Sequence, residues 1–395
     1  MLNLVLNGES LVRPLTGIGQ YTRALVQHLG RADTVDSLRC FRGNRLVAGH
    51  TALSQLDQSE ARGGRFAEIF MGILHGVASR TLWPYRAHKR AGDEAFRHAV
   101  RRLPKGTLYH EPNYVLKPYD GPSVVTIHDL SIILFPQHHP KARVDYIGRH
   151  MERSVHEAER VITDSDVVRG EVIEYFGVEP SKVVTIHLGV DPDFRPMNTE
   201  LAESVLGPYG IKAGHYILSV STLEPRKNLE ALVEAFRSLD VAVRKRIPLV
   251  IVGARGWHSE SLERQLDQLV ARGEARRLGY VARPALPALF SSCRLFVFPS
   301  LYEGFGLPVL EAMACGSPVL TSTGTSMEEF ACDAACFCDP TDVASIADGM
   351  LMLLEDEKRL DQMSALGRQV SAALTWERCA QRHLSLYHSA TDGGL

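Results

Sequence analysis

The chain has 395 residues, 45% hydrophobic and 23% charged, with 44 Lys plus Arg against 46 Asp plus Glu for a formal net charge of −2. That length suits two domains, each able to bury its own core, and the composition excludes a disordered, collagen-like or disulfide-framework protein. The balanced charge carries no global signal for nucleic acid, so any basic surface must be local. Seven cysteines, an odd number with several among small or apolar neighbours, suit a reducing compartment. No apolar run approaches the ~20 residues that span a bilayer.

The first predicted strand covers residues 2–6; it has no basic segment ahead of it and stops at Asn7, so it reads as a buried strand rather than a signal peptide, and the expected location is cytoplasmic. Thr16, Gly17, Ile18, Gly19, Gln20, Tyr21 and Thr22 follow it and open a helix. They form only a partial dinucleotide fingerprint, because Thr22 stands where the third small residue belongs and the segment from Asn7 is long for the tight turn. From Arg80 to Lys105 eight cations face only Asp93 and Glu94, with Leu82, Trp83, Tyr85 and Phe96 interleaved. Such a stretch suits the headgroup region of an anionic membrane, and equally a solvated helix face.

Further strands are predicted at 107–109, 124–127, 161–163 and 183–186, the last three separated by helices at 141–158 and Asp166–Phe176. His128 and Asp129 stand just past a buried strand, where the imidazole could bond a substrate hydroxyl or accept its proton. A lone histidine at such a place is also a common structural residue. The segment 189–196, polar and punctuated by Pro192 and Pro196, reads as a domain boundary and hinge, with domains at 1–190 and 191–375.

In the second half, strands at 216–220, 249–252, 277–281, 295–298 and 319–321 alternate with amphipathic stretches, the rhythm of a parallel α/β sheet. After the first of them come Glu224, Pro225, Arg226, Lys227 and Asn228. Arg226 offers a planar fork and Lys227 a point charge, a pair able to hold a diphosphate and stabilise it as it leaves. Asn228 is placed to cap a helix bearing Leu229, Leu232, Val233 and Phe236 on one face. Two cations at a helix start oppose the dipole, so a bound anion is the expected compensation, and their removal should cost turnover with little change in melting temperature.

The segment after the fourth strand, Glu303, Gly304, Phe305, Gly306, Leu307, Pro308 and on to Glu311, combines glycines that let backbone approach a ligand with a proline suited to a helix's first turn. Glu311, expected in that first turn, and Glu303 on the loop are placed to accept hydrogen bonds from ribose and sugar hydroxyls. Cys332, Cys336 and Cys338 lack zinc-site spacing and read as small apolar residues, and His138 and His139 form no plausible metal site.

Together the Glu-x7-Glu element, the Glu224–Asn228 segment, the Thr16–Gly19 loop and His128-Asp129 resemble the retaining glycosyltransferases of family 4, over nearly the whole chain. The resemblance implies a GT-B fold: two facing Rossmann-like domains with parallel sheets and a cleft between them, an N-terminal acceptor domain at 1–190, a nucleotide-sugar donor domain at 191–375, and a C-terminal helix at 376–395 packing back on the first. It implies that Arg226 and Lys227 hold the donor diphosphate, Glu303 the transferred sugar, Glu311 the ribose and His128 a sugar hydroxyl. Gly17, Gly19, Gly304, Phe305, Gly306 and Leu307 would line the donor site. Many relatives carry an arginine where this chain has Thr222, which puts more weight on Arg226. The resemblance requires no metal and no cofactor beyond the donor, and no Asp-x-Asp motif occurs in a candidate cleft loop. Thr-Gly-Ile-Gly with Pro-Arg-Lys-Asn is most similar to bacterial mannosyltransferases of surface polysaccharide assembly, which implies GDP-mannose first and UDP-glucose second, and a glycan or lipid-linked acceptor. A nucleotide-sugar binder or epimerase of the same fold stays open at this point.

Overall fold

The computed structural model describes residues 1–61, 82–256 and 259–392. The chain divides into two compact units, Met1–Leu188 with Trp376–Leu395, and Gly189–Thr375.

The first unit is built on a seven-stranded sheet: β1 (Leu2–Asn7), β2 (Val35–Arg42), β3 (Arg45–Ala48), β4 (Leu108–Glu111), β5 (Ser123–Ile127), β6 (Arg160–Thr163) and β7 (Val183–Thr185), in the order β3-β2-β1-β4-β5-β6-β7. All neighbours are parallel except β2 and β3. Inner strands β1, β5 and β6 are short runs rich in buried Val, Ile and Leu, as strands covered on both faces require, whereas β4 buries Tyr109, His110 and Glu111. Sequence periodicity misses β2 and β3 because they form one edge, where only Cys40 and Phe41 of β2 are buried and charged residues interrupt the pattern. Helix Asp166–Phe176 matches its expected bounds for a local reason: Ser165 Oγ accepts from the Val168 amide at 3.2 Å, and Gly177 ends the helix at φ +62°.

The second unit carries a six-stranded, wholly parallel sheet: β8 (Ile217–Val220), β9 (Leu249–Val252), β10 (Ala275–Gly279), β11 (Leu295–Phe298), β12 (Val319–Ser322) and β13 (Cys336–Cys338), in the order β10-β9-β8-β11-β12-β13. β10 lies two residues earlier than expected, since it is an edge strand whose Arg276 and Arg277 face solvent. β13, absent from the sequence reading, holds Cys336 and Cys338; Cys338 is buried, whereas Cys332, expected to be an apolar filler, is exposed at φ +39°. The polar segment 189–196 begins at the division between the units and is anchored. Val190 donates to the Leu374 carbonyl at 3.0 Å, and Phe194, only 3% exposed, packs on Phe290, so the segment belongs to the second unit.

Helix Trp376–Asp392 is counted in the first unit, and a continuous buried hydrogen-bond chain fixes it there. His383 Nδ1 donates to the Cys379 carbonyl at 2.8 Å, which leaves Nε2 to accept from the Tyr21 hydroxyl at 2.7 Å. Tyr21 must then accept from Thr126 Oγ1 at 2.9 Å, Thr126 from His110 Nε2 at 2.8 Å, and His110 Nδ1 from the Tyr387 hydroxyl at 2.7 Å. Every donor and acceptor is used once and in one direction, so both rings are neutral. Burial accordingly lowers both imidazoles, His383 to about 4 and His110 well below its ordinary value.

A neutral buried histidine contributes stability that is lost as pH falls, because the unfolded chain takes up the proton first, at about 6.5. The protein should therefore lose stability between about pH 6.5 and 4 through His383. Replacing His383 with Gln keeps an acceptor for Tyr21 and removes the titration. Melting temperature measured across that window should fall less in H383Q than in the parent; parallel curves would contradict the neutral chain.

Candidate active site

In the second sheet the strand order reverses between β8 and β11, and ligands of open α/β sheets bind outside the carboxyl ends of strands at such a point. The two motif segments leave these two strands and are stitched together. The Leu301 amide donates to the Arg226 carbonyl at 2.9 Å, and Ser300 Oγ lies 3.0 Å from the same oxygen. Asn228, at φ +57°, precedes helix Leu229–Ser238, whose Leu229, Leu232, Val233 and Phe236 are buried as expected. Its amide does not cap that helix. It donates instead to the carbonyls of Pro299 at 3.0 Å and Pro340 at 2.7 Å, trading one cap for a brace between three loops.

This bracing brings Arg226, Lys227 and Glu303 into one buried cluster. Lys227 Nζ lies 2.5 Å from Glu303 Oε1, which also accepts from Ser300 Oγ at 2.6 Å, while Arg226 Nη1 lies 3.1 Å from Glu303 Oε2. The other Arg226 nitrogen, Nη2, bonds Glu224 Oε1 at 3.0 Å, and Nη1 also donates to the Tyr302 carbonyl. Lys227 stands 5.5 Å over the Phe298 ring. Burial pushes Glu303 toward its neutral form, but the two cations outweigh it and hold the carboxyl below the ordinary carboxylate range. Burial and the neighbouring guanidinium lower Lys227 against the pull of Glu303. The anion expected to compensate the two cations is thus present as Glu303 and Glu224. The expectation that either cation can be removed without loss of stability is also corrected, since breaking one side of a buried ion pair typically costs about 3–5 kcal/mol.

Helix Leu307–Ala314 begins with Pro308 in its first turn. Gly306 at φ +99° precedes it, and a side chain there would meet Met327 Cγ at 2.5 Å, so only glycine fits. Gly304 is buried in the same loop, Phe305 stacks on Phe330 with centroids 4.8 Å apart, and Leu307 is half-buried. Glu311 is the fifth helical residue, beyond the first turn where it was expected. Its carboxylate pairs with Arg283 Nη1 at 3.2 Å, and burial raises its pKa to about 7 despite that pair. Arg283 in turn lies 3.8 Å from Asp191 and 4.7 Å over the Phe194 ring. Sequence reading missed Arg283, which stands in a turn with no motif around it, and gave no role to Ser300.

The remaining site residues lie in the first unit. Thr16 Oγ1 accepts from the Gly19 amide at 3.4 Å and so starts helix Gly17–Leu29, with Gly17 exposed at its first position. The room left by Gly19's missing side chain is taken by Leu15 and the Ser10 carbonyl, where a Cβ would come within 2.8 and 2.9 Å. His128 is buried between two acceptors: Nδ1 faces Asp164 Oδ2 at 2.7 Å and Nε2 the Pro112 carbonyl at 2.9 Å. Nε2 must carry hydrogen for the Pro112 carbonyl. Burial opposes a charge on the ring, yet Asp164, the Pro112 carbonyl and Asp129 together raise the imidazole above its ordinary value, while burial raises Asp164 as well, so the proton between Nδ1 and Oδ2 belongs to the pair. In this arrangement both ring nitrogens are engaged, one with the Pro112 carbonyl and one with Asp164, which the sequence did not flag. The first sheet reverses order between β1 and β4, and there Asn7 and Tyr109 both donate to Glu111 Oε2, at 2.7 and 2.6 Å; burial lifts Glu111 to about 7.

Among the described residues no three His, Cys, Asp or Glu side chains are placed to hold a metal ion, and no helix is long and apolar enough to cross a membrane. Of the basic stretch, Arg80 and the side chains of Leu82, Trp83, Tyr85, Arg86 and Lys89 lie outside the described residues. Arg90, Arg101, Arg102 and Lys105 are exposed, and Arg97 pairs with Glu94. Phe96 does not join that face: it is fully buried against Phe41 and Tyr109.

Residues 15–194 match the family described as Glycosyltransferase Family 4, and residues 209–370 that of Glycosyl transferases group 1. The chain is 34% identical to the O-antigen chain mannosyltransferase B of Escherichia coli, over 98% of this chain and 99% of that one. It is 33% identical to the serotype-specific mannosyltransferase WbdA of Escherichia coli over 96% of this chain, which spans 46% of that protein. Its fold is shared with the sucrose-phosphate synthase of Thermosynechococcus elongatus, at TM-score 0.73 and 19% identity over the full length of both. Anabaena Alr3699/HepE in complex with UDP and glucose gives 0.70 and 17%, over 98% of this chain and 100% of the other. The motifs, the two parallel-sheet units and the near full-length likeness agree: the chain belongs to the group 1 and family 4 glycosyltransferases of the GT-B fold, and it is a glycosyltransferase.

Proposed function

We propose that this glycosyltransferase moves mannose from GDP-mannose, with retention of configuration, onto a lipid-linked or oligosaccharide acceptor in surface polysaccharide synthesis. The buried Arg226–Lys227–Glu303 cluster at the reversal point of the second sheet carries the reading of the chemistry. As the bond from the anomeric carbon to the diphosphate oxygen breaks and the acceptor oxygen takes its place, negative charge gathers on the leaving diphosphate, which takes up the proton of the acceptor hydroxyl. Arg226 and Lys227 are already desolvated and held in place, so they would exchange part of their contact with Glu303 for phosphate oxygens. Glu303, relieved of that contact, would accept from hydroxyls of the sugar, and Glu311 from those of the ribose. His128 would reach a sugar hydroxyl by exchanging the Pro112 carbonyl for it. No metal or other cofactor enters this scheme.

The choice of mannose rests on the two Escherichia coli mannosyltransferases, one of them alike over nearly its whole length. UDP-glucose is the second reading, favoured by the complex of HepE with UDP and glucose. A cytoplasmic enzyme whose exposed Arg90, Arg101, Arg102 and Lys105 touch an anionic inner membrane surface would meet a lipid-linked acceptor there.

Offering GDP-mannose, UDP-glucose and related donors, and reading the product by NMR, tests the assignment. Transfer from GDP-mannose with an α-configured product is expected; transfer from UDP-glucose alone would overturn the donor, and a β-configured product the retention.

Replacing Lys227 with Met tests the cluster. Turnover should fall by about two decades or more, as removal of a charge-stabilising group does, and the melting temperature should drop as well because Glu303 is left buried beside one cation. Full turnover in a folded variant would remove Lys227 from the chemistry.

A further inference from the structure

On the edge of the second sheet opposite the candidate active site, the amino ends of β8, β9 and β10 surround a recess of about 360 Å³. Five of its lining residues are basic: Lys212 and His215 before β8, Lys245 and Arg246 before β9, and Arg276 on β10. All five side chains belong to exposed residues, and no acidic residue lines the recess. The carboxylate nearest in sequence, Glu274, is buried in a pair with Arg244 at 2.9 Å and is turned to other work. Among the described residues, Lys212, Lys245, Arg246 and Arg276 make no ion pair.

Lys245 and Arg246 sit in the last turn of helix Val241–Arg246, where the dipole favours cations. That accounts for two charges from one element. It does not account for Lys212 and Arg276, which arrive from a separate loop and from β10 and bring the same sign to the same concavity. In a chain whose formal net charge is −2, four permanent cations around one recess are a local and uncompensated concentration. The shape adds to the case. Arg276's guanidinium lies over Gly210, whose absent side chain leaves the rim open, and buried Tyr216 forms part of the lining, its own hydroxyl committed to the Leu289 carbonyl at 2.6 Å. The recess is of the volume that small-ligand sites begin at, roughly 300 Å³.

We infer that this recess is a second anion site, for a phosphate or diphosphate group, separate from the donor site. Two arginine forks can each bind two phosphate oxygens, with the lysines as point charges beside them. The phosphate comes either from a small soluble compound or from a lipid headgroup, and the two sources are separable by experiment.

Inorganic pyrophosphate titrated by calorimetry into the full chain, and into the double variant Lys245→Ala/Arg246→Ala and the single variant Arg276→Ala, tests the site. These residues are exposed, so the variants should melt with the parent. The number of pyrophosphate sites should fall by one between parent and double variant, and Arg276→Ala should weaken that same site about tenfold or more. Because the count is a difference, the result stands whether or not the active-site cluster binds pyrophosphate as well. Sedimentation with phosphatidylglycerol and with phosphatidylcholine vesicles is the second arm: binding to the first alone, lost in the double variant, assigns a lipid headgroup, whereas a lost pyrophosphate site without vesicle binding assigns a soluble phosphate. Equal site counts together with vesicle binding that is absent or unchanged in the variants would overturn the inference.

Discussion

The contact between Glu303 and the pair Arg226–Lys227 is the constraint around which the second unit is organised. It joins the loops that leave β8 and β11, and it sets three formal charges in a largely dry environment where the two cations hold Glu303 ionised. Such a cluster is a poor source of net stability compared with apolar packing, because desolvation offsets most of its attraction. Its value is positional. Asn228 ties the first loop to Pro299 and Pro340, and Ser300 fixes the carboxylate from below, so the cations are held where the sheet reverses its order. Preorganised charge of this kind needs little rearrangement when a leaving group develops negative charge.

The first unit spends its buried polar groups differently. The one-directional chain from Tyr387 through His110, Thr126, Tyr21 and His383 joins strands, the first helix and the last helix without any net charge. Leaving any one of these groups unsatisfied would cost about 1–3 kcal/mol, so the chain specifies one seating of the terminal helix. His128 is the exception. It neighbours Tyr21 at a centroid distance of 5.1 Å but shares a proton with Asp164 and donates to the Pro112 carbonyl, so a titratable pair sits within the same core.

The central strands were legible because burial on both faces writes itself as short unbroken apolar runs: 249–252 and 295–298 appear in the sequence as they stand in the fold. Strands β2, β3 and β13, at or beside a sheet edge, were not, since most of their residues are only half-buried and charged or cysteine residues blur the period. The same divide holds at the site. Arg226, Lys227, Glu303 and Glu311 announce themselves by type and spacing beside glycine and proline. Arg283, Asp164 and Glu111 act through contacts made 28, 36 and 104 residues away along the chain, and no local pattern marks them. The cap expected of Asn228 failed for a related reason: its position before the helix was read correctly, but its partners come from other loops.

In the proposed reaction Arg226 and Lys227 exchange Glu303 for donor phosphate while Glu311 takes the ribose. The decisive measurement is a crystal structure of the chain with bound guanosine diphosphate. Phosphate oxygens are expected within hydrogen-bond distance of Arg226 and Lys227, and the ribose diol on the Glu311 carboxylate. A diphosphate bound elsewhere, with both cations still closed on Glu303 and Glu311 still closed on Arg283, would contradict it.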